Sequence, residues 1–462
     1  MNKEKKLVII LPRGEAIKNF VFSGITDALR EDYQVIFFSI IPNIEIKKYL
    51  KTKSDEFYEL NEIIDKNIYA TELKNILQIA HAKKINSVTG NLKILKDDLL
   101  SKKNIKSYLI RKVRKLIASF FASHNSLQLL TNKYIQRNFN NKNVLYYESL
   151  LTSIKPDIIF NASHIHNTFS LSLMYAAKKL SIKTAAFLFS WDNLTSQGRI
   201  IPDYDYYFTW NYKIKEDLKK IYPSVEVENI FVTGTPQFDF HCDEKFIDTK
   251  ENLYAFLNIP THKKIIIYST GMAYYTPKEY LIVKEIEKIL KKIDQNLQLV
   301  LRVYAKDDNT NFYKLRETTD IVIPDHYWEL NHLTPTLKDI KLFNSLINHC
   351  TIGINVASTV SLDLAVLDKP IINIAFNPPN VNIYPNDYKK IYEFDHYKPI
   401  VNSGAISIAN TKQELESQIK EYLSDEKLNS DKRKKLLENF FGKELKADKK
   451  DIFVSVFKSI LS

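Results

Sequence analysis

Residues 349–376 read HCTIGINVASTVSLDLAVLDKPIINIAF, and their pattern sets the fold. The apolar run 352–356 is strand-like, Ser358 and Thr359 stand at a turn, and 360–367 has helical spacing. Lys369-Pro370 stops the helix, and a second apolar strand follows. The whole is one β-turn-α-turn-β unit. Its hydroxyl pair lies where strand gives way to helix, so the unpaired N–H groups of the first turn and the positive end of the helix dipole meet at one spot suited to a phosphate. The same pair also serves as an ordinary helix N-cap, which needs no ligand.

The α/β rhythm extends to both sides. Before this unit, 264–269, 298–303 and 321–323 read as strands, with the loop Thr270-Gly271-Met272-Ala273 after the first, Arg302 near the end of the second and Asp325-His326 after the third. In the first half, 7–11, 34–40, 157–161, 184–189 and 229–232 are strands, and 17–29 has the pattern of one helix. The loop Pro12-Arg13-Gly14-Glu15 lacks a GxGxxG fingerprint, so a dinucleotide is not expected. His164 and His166 lie in the loop after the 157–161 strand. After the 184–189 strand comes SWDNLTSQGR, residues 190–199, where seven polar side chains, Trp191 and Gly198 crowd into ten positions. Loops at the carboxyl edge of such sheets carry function because the strands hold them rigidly. An Asx-turn with Trp191 filling a core gap is the structural alternative. Asp203 and Asp205 form a DxD that reads as the entry to an aromatic strand rather than a metal site.

The expected organisation is therefore α/β, with two Rossmann-like domains. Residues 1–240 form the first, with a basic helical insertion at about 91–137; 241–260 is a linker; 261–430 is the second; and 431–462 is a terminal helical segment, a candidate to pack back on the first domain.

Composition narrows the function. A 462-residue chain accommodates two such domains, and 45% hydrophobic with 26% charged residues is the balance of a globular protein. No apolar run is long enough to span a bilayer, and the opening MNKEKKLVIILPRGE reads as a first strand rather than a signal peptide. Cys242 and Cys350 offer neither a disulfide framework nor a CxxC metal pattern, which points to a reducing cytosol. The net charge of +12 is concentrated: residues 91–137 hold eleven Lys or Arg against two Asp. No zinc-finger spacing, RNP-like motif or Arg/Gly repeat accompanies it, so nucleic acid is not the expected partner. Instead Ile105, Leu109, Val113, Leu116, Ile117 and Phe120 recur at helical spacing, with Lys103, Lys106, Arg114 and Lys115 largely elsewhere on the wheel. A basic amphipathic helix over 103–121 suits an anionic membrane surface. The alternative is that its apolar side packs on its own domain and the lysines are solvated.

Two successive α/β halves, the second closing with a strand, a Ser-Thr turn, a helix and Lys-Pro, resemble the GT-B glycosyltransferases. Closer still are the bacterial surface-carbohydrate (capsule and lipopolysaccharide) transferases related to the CDP-glycerol glycerophosphotransferases. The pieces that carry this likeness are SWDNLTSQG at 190–198, GTPQFD at 234–239, NVAST at 355–359 with Asp363 and Lys369-Pro370, and His396-Tyr397 with Gly404. The resemblance implies domains that face each other across a cleft, the second holding a nucleotide-activated sugar and the first a glycan or lipid-linked acceptor. Ser358 and Thr359 would hold the donor phosphates in the neighbourhood of Asp363, with Arg302 and the Gly271 loop adding donors and His326 or His396 a charge. No metal or other cofactor is implied, because fixed N–H groups, hydroxyls and an Arg can stabilise a leaving nucleotide phosphate. An inverting transfer would need a general base in the first domain, and Asp192, His164 and His166 are the candidates, Asp192 foremost; a retaining one would make Asp192 an acceptor-binding residue. One departure stands out: relatives often carry Arg-x-His-Pro where this chain has Arg302-Val-Tyr-Ala305. Transfer of a glycerol-phosphate group and 2-epimerisation of a sugar nucleotide are the alternative reactions. The implied location is cytoplasmic, at the inner face of the membrane if the basic helix docks there.

Overall fold

The computed structural model describes residues 4–60, 68–139, 141–164, 170–445 and 448–462. The chain divides into two compact units, one of Met1–Pro236 with Leu330–Thr334 and Lys446–Ser462, the other of Gln237–Glu329 with Pro335–Leu445.

Seven parallel strands carry the first unit: β1 (Lys6–Leu11), β2 (Gln34–Ser39), β3 (Glu56–Glu59), β4 (Ile158–Asn161), β5 (Lys183–Phe187), β6 (Tyr206–Thr209) and β7 (Ile230–Val232). Their order is β3-β2-β1-β4-β5-β6-β7. The central strands read as unbroken apolar runs because both faces of a parallel sheet are covered; residues 7–11 and 158–160 are wholly buried. Phe20, Phe160 and Phe187 meet edge to face on one side of the sheet, with ring centroids 5.2 Å apart for Phe20 with each of the others. The C-terminal helix Lys449–Leu461 completes that cluster, since Phe453 stacks on Phe208 at 5.4 Å and meets Phe20 at 5.2 Å.

In the first unit three features differ from the sequence expectation. The single helix expected over 17–29 is two pieces, a π-helical Ile17–Phe22 and an α-helical Ile25–Asp32, because Gly24 between them takes φ 85°, which favours glycine. β3 was not anticipated, being three half-exposed residues and one exposed one without a clear apolar pattern. The insertion expected at 91–137 begins earlier, as a run of four helices: α1 (Ile68–Ile85), α2 (Val88–Ser101), α3 (Ile105–Phe120) and α4 (His124–Asn138). Ser87, Asn104 and Ser123 start the last three, each accepting a backbone N–H from three residues on.

The second unit has five parallel strands, β8 (Lys264–Ser269), β9 (Leu297–Arg302), β10 (Ile352–Asn355), β11 (Ile371–Ile374) and β12 (Ser407–Ala409), in the order β12-β11-β10-β8-β9. Val322 extends this sheet by a parallel bridge to Val300. Helices α5 (Leu337–His349) and α6 (Val360–Val366) flank β10 in sequence, the second as the opening stretch predicts. Gly353 lets α6 lie close to the sheet, for a Cβ there would stand 2.1 Å from Leu364 Cδ1. Residues 241–260, read as a linker, contain the helix Lys250–Leu257, whose Leu253, Tyr254 and Leu257 are buried. β12 was missed because three residues, Ser-Ile-Ala, leave no periodicity to read.

Candidate active site

In the second sheet the strand order reverses between β8 and β10, the position where loops diverge and a ligand crevice opens in such sheets. The Gly271 loop leaves β8 there and the Ser358-Thr359 turn leaves β10. Strand register places Asn373, Asn355, Ser269 and Arg302 in one rank across the carboxyl edge of four neighbouring strands. Asn355 is the centre of a buried polar network. Its side chain exchanges hydrogen bonds with Ser361 and accepts one from Asn373, while the Tyr397 hydroxyl donates to Asn373 Oδ1 at 2.7 Å. Asn355 Oδ1 also accepts the Ser358 N–H at 3.1 Å, which ties the turn to the strand. Ala357 takes φ 39° to make the bend. Ser358 Oγ accepts the Val360 N–H at 3.3 Å, so it caps the helix with its oxygen and keeps its proton to donate; Ser358 and Thr359 are both half-exposed.

Arg302 is buried. Its Nη2 donates to Asp339 Oδ2 at 2.5 Å, while Nη1 is buried with no hydrogen-bond partner among the described residues. Asp339 on α5 also accepts the Tyr327 N–H and the Trp328 Nε1–H, each at 2.8 Å, so one carboxylate orients the guanidinium, the Tyr327 backbone and the Trp328 indole together. His326 pairs through Nδ1 with the Tyr313 hydroxyl at 2.9 Å; burial, reinforced by the Arg302 charge, pushes its pKa below the ordinary histidine value. His326 therefore enters the site as a neutral ring at neutral pH rather than as the charge expected of it. His396 is half-exposed and lies against Phe394, ring centroids 5.7 Å apart.

Two predicted ligand contacts are used internally. The Gly271 N–H donates to both oxygens of Glu279, at 3.2 and 3.0 Å, rather than standing open to a ligand. Asp363 is buried, and its Oδ1 accepts from His241 Nε2 at 2.7 Å. His241 Nδ1 is buried with no hydrogen-bond partner among the described residues. Nothing in the sequence links these two residues, which stand 122 positions apart. Glu279, Asp339 and His241 were all missed by motif reading, because each acts through a partner distant in sequence.

Glu279 also makes a pH prediction. Tyr268, Thr276 and Gly271 donate to its carboxylate, yet burial raises its pKa from the ordinary 4.5 to about 7. The folded state then binds more protons than the unfolded one between these values. The contribution, on the order of 3 kcal/mol, is fully present below pH 4.5 and is lost as pH rises through about 7. Glu279→Gln keeps the shape and removes the titration. Urea midpoints measured from pH 4.5 to 8 should fall less steeply in this variant than in the wild type; parallel curves would exclude Glu279 as the source.

In the first unit, Asp192 follows β5 on the 190–199 loop. Its two carboxylate oxygens accept the hydroxyls of Ser190 and Ser196, each at 2.5 Å, and Trp191 is buried beside it in sequence. Lys93 of α2 turns toward this loop, and Lys96 lies near Lys93. Lys93 Nζ donates to the Ser196 carbonyl, and burial lowers its pKa, with Asp192 acting in the opposite sense; Lys96 is pushed down to about 8 by burial and by Lys93. Neither lysine was a candidate from sequence, where both were part of an undivided basic stretch. His164 is buried, with Nδ1 2.8 Å from the Tyr204 hydroxyl, which also accepts from Asn161 Nδ2 at 2.9 Å. The structure thus brings Asp192 together with Ser190, Ser196 and Lys93, and puts His164 in a separate buried network. His166 lies outside the described residues.

Two parallel α/β units with these strand orders define a pair of Rossmann-like domains. The same fold is found in solved structures: the S. aureus MnaA–UDP complex, 15% identical over 99% of this chain and 97% of that one, TM-score 0.56, and UDP-GlcNAc 2-epimerase from Neisseria meningitidis bound to UDP-GlcNAc, 13% identical over 98% and 100%, TM-score 0.56. A sequence search among curated proteins returned no match. Residues 174–458 match the CDP-glycerol:poly(glycerophosphate) glycerophosphotransferase family, and the chain belongs to that family. It is a transferase of cell-surface polymer synthesis that uses a nucleotide-activated donor. Among the described residues no helix is long and apolar enough to cross a membrane, and no group of three or more His, Cys, Asp or Glu is placed to hold a metal ion.

Proposed function

We propose that the protein transfers a sugar from a nucleotide-activated donor to a growing bacterial surface polysaccharide, such as a capsule or lipopolysaccharide, or to its lipid-linked precursor, by metal-independent GT-B chemistry. The observation that carries this reading is the polar rank at the carboxyl edge of the second sheet. There the Asn355 network holds the Ser358-Thr359 turn, and Arg302 stands two strands away, roughly 10 Å across the sheet. Ser358, Thr359 and the unpaired Nη1 of Arg302 are the donors for the leaving phosphate, where negative charge builds as the bond to the sugar breaks. His326 is a further hydrogen-bonding group for it. Asp192 takes the acceptor's proton, its carboxylate held in one orientation by Ser190 and Ser196. Lys93 supplies positive charge beside that loop for an anionic acceptor.

The family match favours a second reading with the same donor site: transfer of a glycerol-phosphate group, with the nucleotide monophosphate leaving. A thermal-shift screen against UDP, GDP, CDP, CMP and dTDP separates the two. One nucleotide should stabilise the protein, by about 2.7 kcal/mol when present at a hundred times its dissociation constant. A response confined to CDP and CMP, with CMP as the product of turnover, assigns the glycerol-phosphate reaction. Silence toward all five would overturn the donor site.

A further inference from the structure

An amphipathic helix on a globular domain normally turns its apolar stripe inward and its charges to water. Helix α3 does the reverse. Ile105, Leu109, Val113, Leu116 and Phe120 form one stripe about 80° wide at 100° per residue. They are 76%, 55%, 56%, 63% and 75% exposed. The opposite side of the helix, where Arg111, Arg114 and Lys115 project, is the side bound to the protein. Arg114 forms a two-pronged pair with Glu72 of α1 at 2.7 and 2.5 Å, and Arg111 and Lys115 share Asp98 of α2 at 2.8 and 2.5 Å. Those hydrogen bonds hold the Glu72 carboxyl below the ordinary carboxylate range, and they do the same for Asp98 against the opposing effect of its burial. Lys83 of α1 adds a bond to the Lys115 carbonyl at 3.1 Å. The charged face is thus consumed internally, and the apolar face is held outward by it.

Lysines border the stripe on both sides. Lys106 and Lys112 project about 20° beyond its two edges, and Lys102 and Lys103 precede the helix; all four are exposed and make no ion pair with an acidic group among the described residues. From residue 99 to 147 the sequence contains no Asp or Glu. A second copy of the chain meeting this face would set lysine against lysine.

We propose that α3 is a membrane-docking surface: its stripe enters the headgroup–acyl boundary of an anionic bilayer, and Lys102, Lys103, Lys106 and Lys112 meet the lipid phosphates. Docking leaves the ion pairs to α1 and α2 intact, so the first unit is carried rigidly at the surface, as a lipid-linked acceptor requires. The inference rests on the exposure and charge of this helix and stands apart from the donor site.

The test is co-sedimentation of the full chain with phosphatidylcholine vesicles with and without phosphatidylglycerol. Recovery in the pellet should require phosphatidylglycerol and fall with added salt. Val113→Glu/Leu116→Glu should lower partitioning about tenfold or more, and each of Lys106→Ala and Lys112→Ala about fivefold. All four side chains are exposed, and an unchanged nucleotide thermal shift would confirm that the variants are folded. Equal recovery with either vesicle, or variants that sediment like the wild type, would refute the proposal. So would a dimer in sedimentation velocity that is abolished by Val113→Glu/Leu116→Glu while no vesicle is bound, which would make α3 an interface between copies.

Discussion

Asp339→Ala is expected to destabilise the second unit by about 3–5 kcal/mol, the cost of leaving a buried guanidinium without its carboxylate. Arg302 and Asp339 are both buried, and Asp339 satisfies two further donors, the Tyr327 N–H and the Trp328 indole N–H. Removing it strands three donors at once. Hydrogen exchange of the β8–β10 amides reads this unit separately from the first, which matters because a two-unit chain need not unfold in one step. The double change Arg302→Met/Asp339→Leu should recover only part of the loss, since the ion pair replaced as a whole by apolar groups is close to neutral while the Tyr327 N–H and the Trp328 indole N–H stay without their acceptor. Nucleotide stabilisation should nevertheless disappear in the double variant if Arg302 Nη1 is a phosphate donor. Protection within about 1 kcal/mol of the wild type in Asp339→Ala would show that the pair is solvated and not structural.

Ser358→Ala/Thr359→Ala is expected to lower acceptor-dependent nucleotide release by about 10² to 10³, the range for removing fixed donors to a developing anion. Its effect on stability should be small, about 1 kcal/mol, the cost of losing a helix cap such as the one Ser358 Oγ gives the Val360 N–H. The split between the two readouts separates the two roles of the turn. A stability loss with normal turnover would leave Ser358 as a helix cap and nothing more.

The strand-turn-helix-strand unit at 349–376 was legible because every signal in it is local: an apolar run, a hydroxyl pair, helical spacing and a Lys-Pro stop. The same holds for ten of the twelve strands of the two parallel sheets among the described residues, and for the loops that follow β5, β8 and β10. Short edge strands such as β3 and β12 carry too few residues for a period to appear. Within the site, the Ser358-Thr359 turn and Arg302 could be named from the sequence, whereas the uses of Gly271 and Asp363 could not. Their partners, Glu279 and His241, become neighbours only when loop and helix fold against one another.

For the basic insertion the division is clearest. The order of residues in α3 determined that one side would be apolar and that lysines would border it, since helical geometry alone places them. It did not determine which side would face water. Tertiary structure decided that, because Glu72 and Asp98, on two other helices, captured Arg114, Arg111 and Lys115 and turned the apolar stripe outward. Periodicity is a property of the chain, and orientation is a property of what the chain packs against.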